Sequence, residues 1–281
     1  MGERGDSVRT SVKLGKREVV GVIPAAGRSR RLGLLPCSKE IFPVGFSAER
    51  GNAPSRPKVA AEYLLDKLRA ANVPKAYIVI REGKWDIPAY FGDGRNVGMD
   101  LAYLVIPDSC GPPDSVDRAY PFIRDQIVAF GFPDILLEPA DIFGPLLGQL
   151  RKGGCDIVLG LFPVIDDCRA MDMVEYDAHS RVKAVFLKPD TTHLRFAWAC
   201  AVWTPVFTRF LHEFLRSDDM KREVGLGGER RLDAQGDVPV GAVIKSAVEH
   251  GMHVECVPFS DGSYIDIGTP KDLARAARGY R

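Results

Sequence analysis

The sequence is short of several things, and each shortage closes off a class of function. No apolar run is long enough to span a bilayer, so no membrane role is expected. The 38 Lys and Arg nearly cancel the 37 Asp and Glu, leaving a formal charge of +1. Nothing global therefore draws the chain to nucleic acid or an anionic surface, and any pull on phosphate must be local. The six cysteines (Cys37, Cys110, Cys155, Cys168, Cys200, Cys256) form no C-x-x-C pair and have no histidine at metal spacing. That excludes structural zinc and a disulfide framework, and fits reduced thiols in a cytoplasmic protein. The five histidines (His179, His193, His212, His250, His253) are scattered and suggest no imidazole-based site. Residues 1–17 are polar, without the apolar stretch of a signal peptide, and read as a flexible lead-in to one domain over 18–281.

What the chain does have is concentrated between Val19 and Val44. Val19, Val20, Val22 and Ile23 are a short β-branched run that predicts a buried strand. Pro24, Ala25, Ala26 and Gly27 end it with small residues, so a ligand can approach the backbone closely. Arg28, Arg30 and Arg31 follow at once, and Lys39 lies a few residues on. Backbone N–H groups and guanidinium forks in that order suit a phosphate. A plain turn with solvated arginines is the competing reading of Arg28 and Arg30. Cys37 lies in the same loop with nothing to activate it, and is expected to pack.

Further along, residues 58–71 have helical spacing and 76–80 read as a second strand, which implies a parallel strand–helix–strand unit. Strands are also expected at 101–106, 127–130, 157–162, 197–203, 253–258 and 264–267, with a hairpin over 173–187 turning at 177–180. Residues 45–57 and 90–94 read as loop and turn. Helices are expected after Asp141, after Thr204-Pro205, over 240–250 and after Thr269, with 217–239 a polar, Gly-rich loop. The alternation makes the fold α/β.

The order of these features resembles the sugar-phosphate nucleotidyltransferases, glucose-1-phosphate thymidylyltransferases in particular. Their G-G-x-G-T-R-L and following K-x-x-x-P are matched here by P-A-A-G-R-S-R-R-L and P-C-S-K-E-I-F-P-V. An acidic residue after the fourth strand (Asp134), a Lys-Pro after the hairpin (Lys188-Pro189) and Y-I-D-I-G-T-P near the end fall in family order. The resemblance covers nearly the whole chain. It implies a Rossmann-like (GT-A-like) mixed, mostly parallel sheet flanked by helices, with a smaller sugar-side sheet. It implies NTP and sugar-1-phosphate as substrates, with glucose-1-phosphate and dTTP the default pair, and Mg²⁺ as cofactor. A homo-oligomer is compatible with it. Carried over by residue, Ala25, Ala26, Gly27, Arg28 and Gly111 hold the nucleotide. Arg31 and Lys39 face the reacting phosphates, Lys188 and Glu175 hold the sugar phosphate, and Asp134 and Asp266 hold the metal.

The chain also departs from the pattern. Ser29 stands for the second loop glycine and Arg30 for the Thr. Gly131-Phe132-Pro133-Asp134 replaces a Gly-Asp pair, Leu187 replaces a sugar-binding Glu, and Asp172 replaces a sugar-contacting Gly. Ile106 replaces a base-reading Gln, while residues 111–116 are closer to the loop of adenylyl-transferring relatives. Two alternatives therefore stay open: a cytidylyltransferase for a polyol phosphate or acidic sugar, and a catalytically weak nucleotide- or NDP-sugar-binding regulator.

Overall fold

The computed structural model describes residues 17–47, 55–164, 167–217 and 238–279. Most of the expected lead-in and of the 217–239 loop lie outside them. Strands in chain order are β1 (Val19–Ala25), β2 (Pro43–Phe46), β3 (Pro57–Val59), β4 (Lys75–Arg81), β5 (Asp100–Ile106), β6 (Ile127–Gly131) and β7 (Ile135–Glu138). They continue with β8 (Ile157–Pro163), β9 (Met173–Tyr176), β10 (Val182–Phe186), β11 (Phe196–Trp203), β12 (Val254–Pro258) and β13 (Ser263–Asp266).

β1 is central: it pairs in parallel with β4 on one side and β6 on the other, and β5 adds in parallel beyond β4. β11 runs antiparallel to β6 and β8, β12 is parallel to β8, and the β9–β10 hairpin joins β11 through Ala197 and Met173. The expected mixed sheet with a parallel core and flanking helices is what forms.

β1 shows why. Val19, Ile23 and Ala25 enter one apolar cluster, with Leu64, Leu65 and Leu68 of the helix Ala60–Ala70 and Phe143, Leu146, Leu147 and Leu150 of the helix Phe143–Lys152. Val20 and Val22 enter the opposite cluster, with Val116, Phe207, Leu211, Val243 and Ile244 from the helices Pro112–Arg118, Pro205–Phe214 and Val240–Glu249. The period-2 alternation thus places helices on both faces of the sheet.

Four details differ from expectation. Residues 86–91 are helical, because Ile87 and Phe91 bury a face there at 1% exposure each. The flanks of the 45–57 loop pair as β2 and β3. β7 had no separate signal, yet it pairs antiparallel with β13. Thr204 precedes the helix Pro205–Phe214 without a side-chain cap. Asp141 and Thr269 do cap as expected: Asp141 Oδ1 accepts from the Gly144 N–H at 2.9 Å, and Thr269 Oγ1 accepts from the Asp272 N–H at 3.2 Å. Among the described residues, no helix is long and apolar enough to cross a membrane.

Candidate active site

The carboxyl ends of β1, β5 and β6 open onto one cavity of about 410 Å³, where open α/β sheets place ligands. The loops after these strands bring Gly27, Arg28, Arg31 and Lys39, then Gly111, then Asp134 to its wall. The β7–β13 pair brings Asp266 to the same wall. Lys188, after β10, lines the same cavity.

The charges inside are paired closely. Lys39 Nζ donates to Asp134 Oδ2 at 2.5 Å, with the two side chains 15% and 13% exposed. Burial opposes the ammonium, but Asp134, Glu40 and Asp266 outweigh it and hold Lys39 at about 12. Burial likewise pushes Asp134 upward, and Lys39 overrides it, so that carboxyl lies below its ordinary range. Asp266 is shifted the other way: burial first, and then the charge of Asp134, raise it. Its Oδ1 accepts from the Gly268 N–H at 2.7 Å. A Cβ on Gly268 would lie 2.7 Å from Arg31 Nη2 and 2.8 Å from Asp266 Oδ1, so guanidinium and carboxylate converge there.

Asp134 and Asp266 offer oxygen donors only, a hard set of the kind Mg²⁺ takes in ones and twos, completed by water and phosphate. Burial, and after it the charge of Asp134, disfavour the Asp266 carboxylate, and a bound cation would favour it. Among the described residues, no group of three or more His, Cys, Asp and Glu could hold a metal on its own.

The loop after β1 is held from behind by residues that the sequence did not mark. Lys84 Nζ donates to Glu40 Oε1 and Oε2 at 2.7 and 2.8 Å and to the Ala25 carbonyl at 2.8 Å. Glu40 is 1% exposed and Lys84 is 6% exposed. Ala25 therefore belongs to the supporting layer: its side chain is buried in the core and does not line the cavity. Glu175 is a second correction. It lies exposed towards the end of β9 and is not part of the cavity wall. Cys37 packs against the core, as expected, and burial raises its thiol pKa.

Arg28 is ion-paired with Asp108 across the gap between the loops after β1 and β5. Ser29 adopts φ 52° and Lys188 φ 40°, the left-handed region. Gly111, at φ 118°, lies directly under Val238, whose N–H donates to the Cys110 carbonyl at 2.8 Å. Three residues on, Gly241 lies against the carboxylate of Asp172.

No protein-family model matches the chain. It is similar to a solved structure of a candidate glucose-1-phosphate thymidylyltransferase from Bacillus anthracis, in complex with a sucrose. The TM-score is 0.73 and the identity 16%, over 92% of this chain and 94% of that one. The chain has the fold of that nucleotidyltransferase. A UDP-glucose pyrophosphorylase complexed with UDP-glucose superposes with TM-score 0.71 and 15% identity, over 94% of this chain and 98% of that one. In sequence the chain is 19% identical, over 257 residues, to the low-salt glycan biosynthesis nucleotidyltransferase Agl11 of Haloferax volcanii. It covers 64% of that relative's length, and the match spans 91% of this chain. Both structural neighbours and the sequence relative are thus named for nucleotidyl transfer or pyrophosphorolysis.

Proposed function

We propose that the chain transfers a nucleotidyl group from an NTP to a sugar-1-phosphate, giving an NDP-sugar and pyrophosphate. The observation that carries this reading is one cavity lined by cations from two separate parts of the chain and by a pair of carboxylates. Gly27, Arg28, Arg31 and Lys39 of the loop after β1, Lys188 after β10, and Asp134 and Asp266 all line it.

In this reading Gly27 and Arg31 hold the triphosphate and Lys188 holds the phosphate of the sugar. An oxygen of the sugar phosphate attacks the α-phosphorus in line, the P–O bond to the β-phosphate breaks, and pyrophosphate leaves with the electron pair. Both reactants are anions, so catalysis consists of positioning them and neutralising the equatorial oxygens. Lys39 is charged at any physiological pH and sits beside the carboxylates, which places a fixed cation near the reacting phosphates. Asp134 and Asp266 would hold Mg²⁺, which neutralises charge on phosphoryl oxygens when bound. No side-chain nucleophile is needed. Residues 18–281 act as a single nucleotidyltransferase domain, in the cytoplasm, where the soluble substrates are.

The test is pyrophosphate release over a grid of NTPs and sugar-1-phosphates with Mg²⁺. Release with at least one pair is expected, and its loss by a factor of about 100 or more in Asp134→Ala and Asp266→Ala, typical of removing a charge-stabilising group. Absence of release with every pair would overturn the reading. Release only with CTP and a polyol phosphate or acidic sugar would move it to cytidylyl transfer.

A further inference from the structure

The ion pair between Arg28 and Asp108 has no part in the reaction as described, although both residues line the cavity. Arg28 lies just past the end of β1 and Asp108 just past the end of β5. β4 lies between those two strands in the sheet. The pair therefore reaches across the end of a strand, a span of about 10 Å at the usual strand spacing. Of Arg28, Arg30 and Arg31, Arg28 alone is ion-paired among the described residues.

The contact uses one particular edge of the guanidinium. Arg28 Nε–H donates to Asp108 Oδ1 at 3.1 Å, and Nη2–H donates to Oδ2, which makes a bidentate fork. A phosphate takes the same fork from an arginine, with two of its oxygens in place of the carboxylate's. While Asp108 is seated, that edge of Arg28 is closed to any other anion. Asp108 stays charged, because the Arg28 fork and then the Ser109 backbone N–H hold its carboxyl below the ordinary carboxylate range.

Holding the loop in place is a poor account of the pair. Lys84 already fastens that loop from the interior, through Glu40 and the Ala25 carbonyl. The Arg28 and Asp108 side chains are 47% and 52% exposed, and exposed pairs add little to stability. The same weakness makes the fork easy to exchange.

We propose that Asp108 is a built-in competitor for phosphate, holding the guanidinium fork of Arg28 until a polyphosphate displaces it. This rests on the nucleotidyl-transfer reading, which makes the polyphosphate the chain of an NTP, and it adds an autoinhibitory contact to that site. The exchange conserves the fork: two hydrogen bonds to the carboxylate give way to two to phosphate, and Asp108 returns to water.

The experiment is a double-mutant cycle on the wild type, Asp108→Asn, Arg28→Ala and the double variant. Calorimetry with inorganic triphosphate, the part common to every NTP, gives the dissociation constants, and thermal unfolding checks that each protein folds. Asp108→Asn should tighten triphosphate binding by about threefold to tenfold. Loss of a nearby negative charge helps any anion, and the Arg28→Ala background measures that part by itself. The gain with Arg28 present should exceed the gain in its absence by at least about twofold, the excess being the contribution of the contact. An excess below twofold, or weaker binding by Asp108→Asn, overturns the proposal, as does no triphosphate binding by any of the four proteins. A second readout is the arginine Nε–H magnetic resonance signal that Arg28→Ala removes. It should shift in Asp108→Asn, and in the wild type on addition of triphosphate; a wild-type signal unmoved at saturation overturns the proposal. Triphosphate binding without pyrophosphate release from any NTP and sugar-1-phosphate overturns the transfer reading alone, and the cycle still decides this one.

Discussion

Gly27 separates what the fold needs from what a ligand needs. Its backbone is outside the left-handed region, and a Cβ there would meet nothing within 4 Å. The protein itself therefore does not require glycine at this position. Gly27→Ala is expected to keep or raise stability by about 0.4–1 kcal/mol, because the unfolded chain loses freedom. It should at the same time raise KM for the NTP, since the methyl would project toward the phosphates. Urea unfolding and KM on the same preparation check both halves, and a destabilised protein with unchanged KM would contradict them. Ser29 is the opposite case: the residue that replaces the family's glycine still takes φ 52°. Asp172 carries a cost in stability. Burial raises its folded pKa, so its charge destabilises the fold once pH exceeds the ordinary carboxylate value of about 3.9. Asp172→Asn should therefore be more stable than the wild type at pH 7, with the difference vanishing as pH falls below that value. Thermal unfolding across pH reads this directly.

The elements around the phosphate loop are tied together by charge in the interior. Lys84 follows β4, Glu40 lies between the loop and β2, and Ala25 ends β1, so one ammonium fastens three segments. Removing one member leaves a buried charge without its partner. Lys84→Met or Glu40→Gln alone is expected to cost about 3–5 kcal/mol, and the double variant less than the sum of the singles. Urea unfolding of the four proteins measures this. These ties were not legible in the sequence: Lys84, in a turn beside Gly83, reads as a solvated cation, and Glu40 lies 44 residues away. β7 was hidden for a similar reason, because its pairing with β13 is a long-range match that its four residues do not announce. By contrast β1, β4, β5 and β6 were legible from their apolar runs, and the hairpin from its turn. Among site residues, Arg31, Lys39, Asp134, Lys188 and Asp266 do reach the cavity, while Glu175 is exposed on β9 outside its wall.

At the scale of the whole molecule, the proposed reading has the loops after the parallel strands β1, β5 and β6 hold the nucleotide, and the segments around β9, β10 and β11 hold the acceptor. A ligand bound only by the folded chain stabilises it by about 2.7 kcal/mol at a hundred times its dissociation constant. The NTP that gives turnover should therefore raise the unfolding midpoint in a concentration-dependent way, and NTPs that give none should not, which differential scanning measures. The segment from Val238 to Gly241 lies against Gly111 through Val238 and against the Asp172 carboxylate through Gly241. It works as a yoke. If the Gly111 side holds the nucleotide and the Lys188 side the acceptor, as proposed, a shift of this segment at one is felt at the other, and thermodynamic reciprocity returns the same coupling in the other direction. The two substrates should accordingly be synergistic, each lowering the dissociation constant of the other. Gly111→Ala, which forces the yoke outward, should erase that synergy before it erases either affinity.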